Sequence, residues 1–81
     1  MAYDPNNLSA LVYANGFTCW HYKTTDSLQD VDLQDYFNLA HFMLRTGDFI
    51  FVNASISGEI ENNLFSVVSS TDEEVEVIQH L

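Results

Sequence analysis

The alternation of apolar and polar positions predicts four or five strands and one main amphipathic helix. Leu8 to Ala14 is moderately apolar and ends at Asn15-Gly16, a strong two-residue hairpin signal when strands flank it. This stretch reads as a strand pairing with the next segment, or as a short helical turn, because its alternation is not clean. Phe17 to Lys23 is a strand, rich in aromatic and β-branched residues. Phe17, Cys19 and His21 share one face, and Thr18, Trp20 and Tyr22 the other. Both faces are bulky, which predicts cover on both sides: the domain core on one, a neighbouring element or subunit on the other.

Ser27 and Asp30 have capping-box spacing, which predicts a helical turn over 27–31. The main helix is expected over 33–45. Tyr36, Leu39, Ala40 and Met43 recur with helical spacing, and Phe37 and Leu44 widen the stripe. Asp32 stands at the N-cap position, Arg45 falls in the last turn, and Gly47 is the stop. Phe49 to Ala54 reads as a buried-type strand. Leu64 to Ser70 comes after the Ser57-Gly58 turn, and a half-exposed strand beginning at Glu74 ends near His80. Short links make these three an antiparallel meander.

The expected fold is α+β and mostly β: a small antiparallel sheet or partly closed barrel with one main helix. Residues 1–14 form an N-terminal arm or first strand, and 15–81 a single compact domain.

Size and charge narrow the function. The chain has 81 residues, with 12 acidic against 2 basic ones and a net charge of −10. Two cations do not neutralise a phosphate backbone, so no nucleic-acid partner is expected. The longest apolar runs, such as Phe49-Ile50-Phe51-Val52, are far too short to span a bilayer, so no membrane partner is expected either. The first residues lack a basic n-region and an apolar h-region, which points to an intracellular origin. Residues 1–45 carry five acids and both bases, net −3; residues 46–81 carry seven acids and no base, net −7. A core this small supplies only about 3–5 kcal/mol, and the single Cys19 allows no internal disulfide. Oligomerisation, or docking on something larger, is the expected extra stabilisation. The 14% aromatic content fits that, because aromatics concentrate at interface cores.

No catalytic set is legible. Cys19 and His21 share a strand face without the directed contact of a thiolate–imidazolium pair, and a buried Cys19 is a small apolar residue. His21, His41 and His80 lack metal-ligand spacing, and no Gly-rich phosphate loop exists. Glu59 with Glu61, and Glu74 with Glu76, read as charged strand edges rather than an acid–base pair. No enzyme activity, cofactor or metal is expected.

One block of sequence is distinctive. Gly16-Phe17-Thr18-Cys19-Trp20-His21-Tyr22-Lys23-Thr24-Thr25-Asp26, then Tyr36-Phe37-Asn38, then Leu44-Arg45-Thr46-Gly47-Asp48-Phe49-Ile50-Phe51-Val52, resembles small proteins from the structural gene modules of tailed bacteriophages. The opening residues 1–8 look like their start. Cys19 stands where those proteins carry an aliphatic residue, and the resemblance fades over 55–81.

The resemblance implies a virion structural protein of the capsid decoration or cement type, made in the host bacterial cytoplasm and carried on the capsid surface. Its implied partners are the major capsid protein and further copies of itself, with a trimer favoured. The residues expected at the oligomer or capsid interface are Tyr3, Leu8, Leu11, Val12, Tyr13, Trp20 and Tyr22. The alternatives are an acidic inhibitor of a host enzyme that mimics DNA, and a neck- or tail-associated virion protein.

Overall fold

The computed structural model describes residues 3–32 and 35–80. Its element order is β1 (Leu8–Ala14), β2 (Phe17–Lys23), α1 (Leu28–Val31), β3 (Phe49–Ala54), β4 (Glu61–Ser70) and β5 (Val75–Gln79). Single 3-10 turns lie at Pro5–Asn7 and Asn38–Ala40. The chain is mostly β, as expected. The five strands form one open sheet in the order β1-β2-β3-β4-β5, not a closed barrel.

Each antiparallel link has a local cause. Asn15 and Gly16 both take positive φ, 55° and 87°, as a tight β1–β2 hairpin requires. The strand alternative for residues 8–14 therefore holds. The β3-β4-β5 meander is also antiparallel throughout.

The sheet is not wholly antiparallel, because β2 and β3 run parallel, with Trp20 opposite Ile50 and Tyr22 opposite Val52. A parallel pair needs a long crossover, and residues 24–48 supply it.

That crossover replaces the expected helix over 33–45. Residues 33 and 34, where it would begin, lie outside the described residues. Asp35 takes φ 72°, which no right-handed helix accommodates. Beyond it, Ala40, His41 and Met43 donate to carbonyls three residues back, and Leu44 donates four back to Ala40. Two side chains of the segment bond elsewhere: Tyr36 to Asp26, and Asn38 to the backbone N–H of Val75. Asp, Tyr, Phe and Asn are modest helix formers, and these tertiary bonds outweigh their propensity. The periodicity still reported the inward positions, since Phe37, Ala40 and Leu44 are buried. Leu39, expected in the stripe, is exposed. The helix that does form is α1, where the capping signal placed a helical turn. Ser27 Oγ accepts from the Asp30 N–H at 3.2 Å.

The core lies between the sheet and this crossover. Tyr22, Ile50, Val52, Phe65 and Val67 from the sheet meet Val31, Phe37, Ala40 and Leu44. Tyr3 closes one end, stacked on Tyr22 with ring centroids 5.6 Å apart.

Candidate docking face

Two buried carboxylates organise the inner side of the sheet. Asp48, just before β3, accepts from the Thr18 N–H at 3.1 Å, the Trp20 indole N–H at 3.0 Å and the Arg45 N–H at 3.1 Å. Gly47, at φ +97°, turns the chain so that Asp48 points back at these donors. Asp26 holds the other end, where Tyr36 donates its hydroxyl to Asp26 Oδ2 at 2.7 Å. Tyr36 and Tyr22 share a hydroxyl hydrogen bond of 2.9 Å, and Tyr22 Oη accepts from the Asp4 N–H at 3.0 Å.

Burial, with the Tyr22 and Asp26 hydrogen bonds behind it, holds the Tyr36 phenol well above its ordinary range. Tyr3 is pushed up to about 12, first by burial and then by Tyr22 and Asp4. Raised phenols are poor acids and poor bases near neutrality, so this network holds the fold together. The distinctive sequence block now has a physical meaning: Trp20 meets Asp48, and Tyr22 meets Tyr36, which in turn meets Asp26.

Three other polar candidates, His21, His80 and Glu61, are also engaged. His21 Nε2 bonds Asn53 Oδ1 at 2.6 Å, and His80 Nε2 bonds Ser66 Oγ at 2.7 Å. Glu61 accepts from the Leu28 N–H at 3.1 Å and from the Ser55 hydroxyl at 2.8 Å, and the backbone bond first lowers its pKa. Among the described residues, no three His, Cys, Asp or Glu side chains cluster as metal ligands, and no helix is long and apolar enough to cross a membrane.

The outer side of the sheet is different. Pairing sets Val12, Cys19, Phe49, Ser66 and Ile78 in one row across all five strands. Ser9, His21, Phe51 and Leu64 form the next row, which the His80 backbone bond to Leu64 extends. Neither row contains a carboxylate or a cation. Val12, Phe49, Phe51 and Ile78 remain 42–54% exposed, and Phe17 at the rim is 53% exposed. The crossover packs on the inner side, and no described segment covers these rows. Strand β3 is therefore not buried on both faces. Ile50, Val52 and Ala54 point inward, while Phe49 and Phe51 point out.

The expected interface residues divide accordingly. Leu11, Val12 and Tyr13 lie together and exposed on the edge strand β1. Tyr3, Leu8 and Tyr22 sit in the molecule's own core. Trp20 packs against that core with its indole bonded to Asp48. Of the two β2 faces, the Trp20/Tyr22 face is the inner one. The outer face carries Phe17, Cys19 and His21. Sequence reasoning missed Phe49, Phe51 and Ile78, because a run such as Phe-Ile-Phe-Val has the same pattern whether one or both faces are covered.

Comparison with family models, with curated proteins and with solved structures gives no match.

Proposed function

We propose that this chain is a structural protein of a tailed-phage virion, a decoration or cement protein that seats its outer sheet face on the shell of major capsid protein. One observation carries the reading: two adjacent rows across the five-stranded sheet hold no carboxylate and expose Val12, Phe49, Phe51 and Ile78, in a molecule whose net charge is −10. Large exposed apolar patches on small proteins mark interaction surfaces. The resemblance of residues 1–54 to phage structural-module proteins supplies the class of partner.

Magnitudes favour a lattice over a solitary complex. Covering five half-exposed apolar side chains gains roughly 5 kcal/mol, at about half of the 1.5–3 kcal/mol for each full burial. Association costs about 4–15 kcal/mol in lost freedom. A single contact is therefore weak. Linked copies on a repeating shell bind by avidity.

Quantitative mass spectrometry of density-gradient-purified virions tests this reading. The expected result is hundreds of copies, scaling with the major capsid protein. Copies near six or twelve would move the protein to the neck or tail. Absence from particles would overturn the structural reading and favour the acidic inhibitor.

A further inference from the structure

The open sheet has two edges, β1 and β5, and they are built differently. Exposed edge strands ordinarily carry charge, proline or a bulge that blocks pairing with another chain. The β5 edge obeys that rule, carrying Glu76 and coming directly after Asp72-Glu73-Glu74. β1 (Leu-Ser-Ala-Leu-Val-Tyr-Ala) has no charge and no proline. It carries only the mildest of these devices, a bulge at Leu11 where the register shifts between Ala10 and Val12, and the three residues on each side, Leu8–Ala10 and Val12–Ala14, keep regular strand pairing. Leu11, Val12 and Tyr13 are 58%, 54% and 70% exposed. The lack of charge reaches beyond the strand. No acid occurs from Pro5 to Thr25, although the chain holds 12.

We infer that β1 is the seam at which two copies of this chain join, edge to edge and antiparallel, about a two-fold axis near Leu11. The inference rests on the shell-docking reading above, because it explains how one small face becomes a sufficient one.

Charge selects the occupant. Among the sheet's two edges, the hairpin Leu8–Lys23, which bears the single charge of Lys23, is the one along which two molecules of −10 each approach without apposing acids. Antiparallel pairing sends the two Asp4 residues to opposite ends of the seam. Strand β4 lies three strand spacings from β1, about 14 Å. That exceeds the Debye length of about 8 Å at physiological ionic strength. The acidic β4–β5 ends then lie at the two far extremes of the joined sheet. A basic partner would be drawn to those ends instead, since β1 offers it no acid.

Area points the same way. Five strands about 4.8 Å apart, each about six residues long, make an outer face of roughly 24 × 20 Å, or about 500 Å². A stable interface takes about 800 Å² from each partner. Joining two sheets at β1 gives one continuous face of roughly twice the area.

Sedimentation velocity of the full chain across a concentration series tests the seam. Wild type is expected to form a dimer, and Leu11→Glu to raise its dissociation constant about ten-fold or more, because like charges meet across the axis. Leu11→Lys is expected to weaken it likewise. Mixing the two variants in equal amounts is expected to restore a dimer that neither forms alone, which a folding defect would not allow. Phe51→Ser, at the centre of the outer face, is expected to leave the dimer intact while lowering occupancy on particles. A wild type that stays monomeric or forms a trimer overturns the inference. So does a Leu11→Glu variant that dimerises like wild type. Each of these leaves the shell-docking reading standing, because particle copy number tests that separately.

Discussion

Removing the Asp48 carboxylate would strand the Thr18 and Arg45 backbone N–H groups and the Trp20 indole N–H together. Hydrogen bonds to a charged group contribute about 1.5–3 kcal/mol, and a buried donor left without a partner adds its own desolvation cost. Asp48→Ala is therefore expected to destabilise the domain by about 3 kcal/mol, read by urea unfolding with Trp20 fluorescence as the signal. The phenols set an alkaline limit. The folded pKa of Tyr3 is raised from 10.0 to about 12, so its stabilising effect is complete below pH 10 and is lost as pH rises through about 12. Tyr36 is raised as well, and the two act in the same direction. Stability is expected to fall steadily above pH 10, with phenolate absorbance of the buried tyrosines appearing together with unfolding. On the acid side, exposed Glu61 gives a local signal. Its pKa is lowered from 4.5, so its hold on the Leu28 N–H is present above pH 4.5 and lost as pH falls through its lower folded value. The Leu28 amide resonance is expected to shift with a midpoint below 4.5.

At the scale of elements, local chemistry was legible wherever one short signal decided the outcome. The Asn15-Gly16 hairpin, the Ser27 cap and the alternation of Glu74 to Val77 each correspond to structure at the expected place. The crossover was not legible. Tyr36, Phe37, Ala40 and Leu44 keep helical spacing without a continuous helix, because Asp26 and the Val75 N–H, distant in sequence, claim Tyr36 and Asn38. Long-range bonds of that kind leave no local pattern. The parallel β2–β3 pair was hidden for the same reason: its register depends on the path of residues 24–48. Gly47, read as a stop signal, has a second task visible only in three dimensions. A Cβ there would lie 2.6 Å from Phe17 Cε1, on a residue that must also adopt φ +97°. Gly47→Ala is expected to cost about 1–2 kcal/mol and to displace the Phe17 ring at the rim of the outer face. A lower thermal midpoint with altered Phe17 side-chain resonances checks both effects.

Over the whole molecule, the organising feature is the exclusion of acids from the centre of the outer sheet face, although exposed apolar side chains also lie on the crossover, at Leu39 and Phe42. Acids occupy the crossover, the β3–β4 connection and the β4–β5 end, while the two central rows of the outer face hold none. The sequence showed bulk on both faces of β2, one of which the structure turns inward to the core. Which face it was could not be read, because Phe17/Cys19/His21 and Trp20/Tyr22 are similarly bulky. Asp48 and Tyr36 decide it by bonding Trp20 and Tyr22 from the inner side. Cys19, the only thiol, sits half-buried in the central outer row beside Phe49. It reports directly on whether that face is covered. The decisive measurement is the rate of maleimide modification of Cys19 on the free protein and on purified virions that carry it. Modification of the free protein with protection on the particle is the result expected if the outer face is the docking surface. Equal rates in the two states would contradict it.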